Sequence, residues 1–445
     1  MLSTYYLFFL LIAGIACIVW LTAYKKINAF VVLLLVALII GILSGLSLDS
    51  IAATLKAGFG HTMEKIGLLI LLGTMLGVIL EKTGATTSMA SYILKKVNNK
   101  NAPAAISITG FIIGLPIFCD SGFIVLSGLN HSLVQKTKFA MPVMAAALGT
   151  SLYAVHCLVP PHPGITAAVG TVGGDLGIVM LWGIALAVPA AIVGYIISIK
   201  RGKNITHAYI EPEKNAAIAQ ELPPVTLSFL PVVLPIVLIA AKSVAMLFVK
   251  ANEPHNFGIT LLSFVGEPII ALLLGILVSF ALVNAPHKKE LSHWLTEGVE
   301  KAGMILAIIA AGGMFGEVLQ ATGMGKNLGT ILGGLSLGVF FPFLITAILK
   351  TAQGSSTVAV ITAASLVTPL LADLGLQSAT GVTLAILSMG AGSMVVSHAN
   401  DAYFWVISRF SNLETAATLK VYSLATLLMG VTVQLLIWIL SLALL

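Results

Sequence analysis

Apolar residues fall in long uninterrupted runs from one end of the chain to the other, and few folds can absorb that pattern. Continuous runs occupy 4–23, 27–46, 66–80, 139–158, 177–199, 229–249, 260–283, 303–320, 378–398 and 420–443. A bilayer core is crossed by a helix of roughly 20 mostly apolar residues, so these runs predict about 10 transmembrane helices. Of the 445 residues only 9% are charged, where soluble domains carry about 25%. A soluble enzyme, a nucleic-acid-binding protein and a disordered chain are thereby excluded. The net charge of +6 is spread over scattered lysines, which bears on orientation in a membrane rather than on a polyanionic partner. The chain reads as an all-α integral membrane protein.

Cys17, Cys119 and Cys157 are odd in number and lie in apolar stretches, which implies no disulfide framework. Residues 4–23 are too long for the apolar part of a cleavable targeting peptide, and Lys25 and Lys26 follow them rather than precede them. The first run is therefore read as a retained helix.

Two further apolar stretches, 102–134 and 328–372, are interrupted near their middles by Pro116–Gly122 and Lys350–Thr357. A lipid-exposed break would leave backbone groups unpaired at a cost of several kcal/mol each. Both are read as re-entrant helical hairpins whose tips meet inside protein, with two short spans apiece as the alternative. The one extended hydrophilic segment, a cytoplasmic linker at 201–226, separates a first half, 1–200, from a second, 227–445. The halves resemble each other. Glu64-Lys65-x-Gly67 recurs as Glu300-Lys301-x-Gly303, and Gly77, Leu80, Thr83 and Gly84 recur as Gly316, Leu319, Thr322 and Gly323. Ser151 and His156 match Ser393 and His398. Interrupted segments at corresponding places in two halves point to a transporter substrate site.

With Lys25 and Lys26 inside, alternation puts seventeen Lys and Arg on the cytoplasmic side and four outside, a positive-inside distribution. The first half then enters from outside and ends inside, and the second runs the other way. The repeats are read as inverted, with both termini periplasmic or extracellular and the chain in the cell inner (plasma) membrane.

Four polar clusters carry the chemistry. The first hairpin tip is GLPIFCDSG at 114–122, where Pro116 and Gly122 break the helix. N–H groups freed at the start of a half-helix suit an anion; a surface turn capped by Asp120 is the alternative. The second tip, KTAQGSST at 350–357, supplies a cation, an amide, hydroxyls and a flexible Gly354. The third is HCLVPPHPG at 156–164, whose prolines unwind the helix near His156. At the repeat-equivalent position stands SHAND, 397–401, followed by Tyr403, Phe404 and Trp405, which are read as an interfacial aromatic belt, with a site-lining role as the alternative. A His or Asp at membrane depth costs about 3 kcal/mol and usually marks an ion or substrate route, although His156 could equally be a core histidine held by a backbone carbonyl. His156, Cys157 and His162 are too constrained by the prolines to indicate a metal. There is no Gly-x-x-x-x-Gly-Lys-Ser/Thr loop, so ATP-driven pumping has no support. The glycines of Gly298–Gly313 fit close helix packing. Glu317 stands where the first half has Val78, its role open.

In GLPIFCDSGF at 114–123, VPPHPG at 159–164, AQGSSTVA at 352–359 and SHANDAYFWV at 397–406, the chain resembles the gluconate permease (GntP) family of organic-acid transporters. The resemblance spans essentially the whole chain. It implies import of gluconate or a related small hydroxy- or amino-acid anion, usually by proton symport. Through the wider ion-transporter superfamily it also implies two inverted repeats, hairpin tips at the substrate, a dimerising scaffold and a transport domain that moves as an elevator. Ile165 stands where many relatives carry another proline.

The reading is a secondary active transporter for a small polar carboxylate, neither an enzyme nor dependent on a cofactor. Asp120, Ser121, Gly122, Gln353, Gly354, Ser355, Ser356 and Thr357 would form the two tips around the substrate, with Asn400 beside them. Lys350 and the half-helix N-termini would offset the substrate's carboxylate, while His156 and His162 shape the unwound segment. Asp401, His398 and Asp120 are the proton-carrying candidates, because burial disfavours the charged form of a carboxyl. A sodium-coupled carrier would instead use Ser355–Thr357 as a hard-cation site. A channel is opposed by the two hairpins, and an intramembrane enzyme by the adjacency of Ser397 and His398, which does not itself give nucleophile–base geometry.

Overall fold

All elements among the described residues are helical. The computed structural model describes residues 4–21, 25, 27–96, 101–137, 139–203, 205, 222–246, 257–284, 288–322, 337–398 and 401–445. The first half holds α1 (Thr4–Val19), α2 (Ala29–Leu43), α3 (Leu48–Thr62) and α4 (Leu68–Lys82), the last two joined through a π-helical turn at Met63–Gly67. It continues with α5 (Ala85–Lys96), α6 (Ala102–Gly114), α7 (Cys119–Lys136), α8 (Met141–Leu158), α9 (Pro163–Val172) and α10 (Leu176–Gly202). The second half holds α11 (Val225–Met246), α12 (Phe257–Val265), α13 (Pro268–Ser279) and α14 (Leu291–Ala321). Then come α15 (Phe340–Gln353), α16 (Ser356–Val367), α17 (Ala379–Met394), α18 (Ala402–Phe410) and α19 (Thr415–Leu444).

Local chemistry sets many of these boundaries. Side chains of Asn28, Ser47, Asp175, Ser355, Ser378 and Asp401 accept backbone N–H groups that open the following helix. Proline in the first turn of α6, α8, α9 and α13 costs no intrahelical bond there. The starts of α6 to α10 recur as the starts of α15 to α19, each 237–239 residues later.

Helix lengths depart from the ten runs expected. Among the described residues five helices are long and apolar enough to cross a membrane: Met141–Val172 taken through its break, Leu176–Gly202, Val225–Met246, Leu291–Ala321 and Thr415–Leu444. The count rises to seven if two bent pairs are each one span. The run at 260–283 is one of these pairs, turning by 70° where Gly266 and Glu267 end α12. Lys242 pairs with Glu267 at that corner. Helices α3 and α5 are not among the apolar runs, because Asp49, Lys56 and His61 in one and the Thr and Ser residues of the other dilute their hydropathy. The interrupted stretches resolve into α6 with α7 and α15 with α16, while 328–336 lies outside the described residues. Arms α6, α15 and α16 have 13, 14 and 12 residues. At 1.5 Å per residue they rise roughly 20 Å, short of a hydrocarbon core of about 30 Å.

The helices pack as two bodies. One is built from α2, α3, α4, α11, α13 and α14, and the other from α6 to α10 with α15 to α19. Glycines let backbones meet inside the first body: a Cβ on Gly58 would lie 2.6 Å from the Gly313 carbonyl, and one on Gly298 2.7 Å from Met75 Cα. Between the bodies the same device appears twice. Gly73 and Gly77 of α4 face Pro161 and Pro116, while Gly312 and Gly316 of α14 face Ile361 and Ser365 of α16. Ser365 Oγ donates to the Gly312 carbonyl at 2.7 Å. Small residues of this kind permit close approach where lipid supplies no hydrophobic drive between helices.

Candidate functional site

The second interruption is narrower than 350–357. Lys350 to Gln353 complete α15, Gly354 takes φ +89°, and Ser355 caps α16 by accepting the Val358 N–H at 3.3 Å. A left-handed residue is where glycine avoids a Cβ clash, which is why the chain turns there. Ser356 and Thr357 already belong to the first turn of α16. The first interruption spans 115–118, so Asp120, Ser121 and Gly122 lie in the first turn of α7, not in a loop. Phe118 occupies the cap position of α7 without a side-chain bond, so the N-cap reading of Asp120 does not hold.

The loop after α8 reaches toward both interruptions. Between α8 and α9 the chain is non-helical over 159–162, with a cis Pro160–Pro161 peptide. Unwinding begins after Leu158, two residues beyond His156. His162 Nε2 lies 2.7 Å from the Gly114 carbonyl at the end of α6, and Gly164 is seated against Thr357, where a Cβ would approach its Cα to 3.1 Å. The loop thus touches an arm of the first hairpin and the tip of the second. The His156 and His162 rings are 4.9 Å apart, with Phe118 6.4 and 6.3 Å from them. His156 Nδ1 is buried with no hydrogen-bond partner among the described residues.

At the end of α17 the backbone breaks through Val396, whose φ of +48° is a region a β-branched residue enters only at a cost. Ser423 Oγ donates to the Ser397 carbonyl, and the Ser397 N–H donates to Thr426 Oγ1 at 3.0 Å. So held, the segment delivers Asp401 to the start of α18, where Oδ1 accepts the Tyr403 N–H at 3.0 Å and Oδ2 accepts from Ser397 Oγ. Lys350 Nζ lies 3.1 Å from the same Oδ2, with side-chain exposures of 0% and 8%. The contact lacks hydrogen-bond alignment, and Lys350 Nζ has no hydrogen-bond partner among the described residues. Three tyrosines lie within electrostatic reach of Asp401. Tyr153 and Tyr403 stack at 5.6 Å, with Tyr422 5.9 Å from Tyr403 and 6.2 Å from Tyr153. Two of their hydroxyls are spent on backbone: Tyr153 donates to the Ser393 carbonyl and Tyr403 to that of Gly149, both at 3.1 Å. Asp120 of the first hairpin is within electrostatic reach of Asp401. An interior cation–carboxylate pair thus joins α15 to the unwound start of α18, both in the second half of a helical membrane protein, and suits a charged solute.

Comparison with known proteins agrees. The profile described as GntP family permease matches residues 5–443. The chain belongs to the GntP permease family. A Haemophilus influenzae protein described as an uncharacterized permease is 34% identical over 427 residues, covering 91% of this permease and 85% of that protein. The gluconate permease of Pseudomonas aeruginosa is 30% identical over 456 residues, covering 99% of each. Among solved structures, Neisseria gonorrhoeae MtrF, described as illuminating a class of antimetabolite efflux pumps, superposes with a TM-score of 0.62 at 14% identity, covering 94% of this chain and 96% of its own. That last likeness speaks to fold alone.

The permease is a membrane transporter, and the residues its sequence singles out do not all converge. Lys350, Asp401 and Asp120 form one cluster, whereas His156, His162 and Thr357 lie around the loop after α8. Gly122 faces away, packed on Leu152 and Ile117, and Ser121 lines a small gap against Gly77 and Lys301. His398 Nε2 contacts the Thr351 carbonyl at 3.0 Å, fastening the unwound segment to α15. The side chain of Gln353 and the whole of Asn400 lie outside the described residues. Tyr403 and Phe404, expected in an interfacial belt, are buried at 2% and 0% exposure, because α18 runs into the body's core. Tyr153 and Tyr422 are not among the residues the sequence points to. Tyr153 does carry a signal, standing one helical turn before His156 on the same face; Tyr422 has none in its local sequence. A cavity of about 220 Å³ opens between α3, α9, α14 and α16, lined in part by His61, Thr171, Glu317 and Gln320, which places Glu317 on the seam between the two bodies.

Proposed function

We propose that the permease is a secondary active transporter importing gluconate or a related hydroxy or amino acid by proton symport across the cell inner membrane. The observation that carries this is the buried Lys350–Asp401 pair, which joins the arm before the Gly354 break to the unwound segment before α18. A fixed cation suits a carboxylate substrate, and an adjacent acid suits a proton. Gluconate comes from the Pseudomonas aeruginosa relative and fits a neighbourhood furnished with the Ser355, Ser356 and Thr357 hydroxyls.

The 237–239-residue recurrence of helix starts supports two repeats, 1–200 and 227–445, flanking a cytoplasmic linker, and the lysine distribution supports their inversion with external termini. The short arms support re-entrant hairpins, one within 102–134 and the other within 328–372. The body containing α14 would be a dimerising scaffold, and the body carrying Lys350 and Asp401 a transport domain moving past it as an elevator. Proteoliposomes holding the full chain test the reading with a panel of labelled sugar acids and amino acids. Uptake of gluconate or a close relative that rises with an inward proton gradient is expected. Uptake that follows a sodium gradient and ignores pH, or a single-channel conductance, would overturn it.

A further inference from the structure

Asp401 and Lys350 are unequally provided with partners. Protonated Asp401 would remain fully satisfied without Lys350: Oδ1 keeps the Tyr403 N–H, and a proton on Oδ2 can be donated to Ser397 Oγ, since a hydroxyl both donates and accepts. Lys350 has no such reserve. It is wholly buried, its Nζ has no hydrogen-bond partner among the described residues, and one contact at 3.1 Å opposes its charge. We infer that Lys350 exchanges carboxylates during transport, holding Asp401 in the empty permease and the substrate's carboxylate in the loaded one, with the co-transported proton resting on Asp401. This deepens the proton-symport reading and rests on it.

The exchange couples the two solutes by charge alone. A proton on Asp401 without an anion leaves a buried cation unopposed. An anion without a proton sets two carboxylates against one cation, and like charges in a shared site disfavour joint ionisation. Among the described residues, Asp401 acts electrostatically on Asp120 and Cys119 of α7, Tyr153 and Cys157 of α8, Tyr403 of α18 and Tyr422 of α19, while His398 of the same unwound segment is turned to the Thr351 carbonyl. None of the former is a cation, and His398 is held on the α15 backbone, which leaves Lys350 as the cation in contact with Asp401 among the described residues. Empty, the pair sums to zero; loaded, Lys350, the anion and neutral Asp401 also sum to zero. The moving body therefore carries the same charge in both directions, and transport of a monoanion with one proton is electroneutral.

Proteoliposomes of the full chain decide this with labelled gluconate under separately imposed pH gradients and membrane potentials. A gradient of one pH unit, alkaline inside, is expected to sustain about tenfold accumulation of a monoanion moving with one proton. An imposed potential alone should drive no accumulation. Asp401→Asn should lose gradient-driven accumulation while gluconate–gluconate exchange continues at a reduced rate, and Asp401→Glu should restore coupling. Accumulation driven by potential in the wild type, or gradient-driven accumulation surviving in Asp401→Asn, would overturn the carboxylate exchange alone. Wild-type uptake indifferent to pH would overturn proton symport and the exchange with it. The potential measurement needs only wild-type protein, so the exchange stays testable even if a variant fails to fold.

Discussion

His162 Nε2 sits 2.7 Å from the carbonyl oxygen of Gly114, tying the loop after α8 to an arm of the first hairpin. A carbonyl oxygen only accepts, so Nε2 carries the proton and donates. Removing this buried bond leaves the carbonyl unpaired at about 1–3 kcal/mol. His162→Ala should lower the unfolding temperature in detergent and depress uptake, and His162→Gln, which can still donate, should recover part of both. Equal behaviour of the two variants would show that the bond contributes little.

The seam between the bodies gives a second test. A methyl at Gly312 would meet Ile361 Cγ2 at 2.5 Å, and overpacking at such a contact typically costs about 1–3 kcal/mol. If the bodies move past each other, Gly312→Ala should slow uptake by on the order of tenfold, the equivalent of about 1.4 kcal/mol in a barrier. Gluconate binding to purified protein should change little, because the residue lies on α14, away from Lys350. Matching losses in binding and uptake would contradict the separation.

Ser355 has two jobs in this structure, capping α16 and standing at the second tip. Ser355→Ala removes a cap worth about 1 kcal/mol and should weaken gluconate affinity together with stability. Ser355→Asp restores a capping oxygen but adds a negative charge beside the proposed anion site. Stability should return in that variant while affinity falls further. Unchanged affinity in both would argue against the tip lining the site.

Thr166 of α9 and Thr362 of α16 are fully buried with hydroxyls that lack hydrogen-bond partners among the described residues. Burying an unpartnered hydroxyl costs roughly 1–3 kcal/mol on mutational scales. Thr166→Val and Thr362→Val should leave thermal stability unchanged or raise it. A loss of transport with stability intact would instead mark the hydroxyls as ligands for a transported ion.

Breaks in this chain are more legible in sequence than contacts are. Gly354 and the three prolines between 160 and 163 can be read because they restrict the backbone itself, and the structure turns at both. Lys350 and Asp401 each stand out, but for separate tasks, since nothing in their local sequence says that α15 and the segment before α18 lie side by side. Polar α3 is hidden by its composition, although its Gly58 crosses Gly313 closely enough to fix the packing. Tyr403 and Phe404 read as a belt because aromatics in an apolar context look alike whether they face headgroups or a core. Burial is a property of the assembled body, and periodicity carries no record of it.

The Tyr153, Tyr403 and Tyr422 rings, 5.6–6.2 Å apart and within electrostatic reach of Asp401, have an optical consequence. Phenol chromophores at that spacing couple their ultraviolet transitions, and the coupling responds to small rotations and to nearby charge. Near-ultraviolet dichroism should therefore register any rearrangement of this trio, read as the part of the signal lost in Tyr153→Phe and Tyr422→Phe, since the chain holds nine tyrosines and five tryptophans in all.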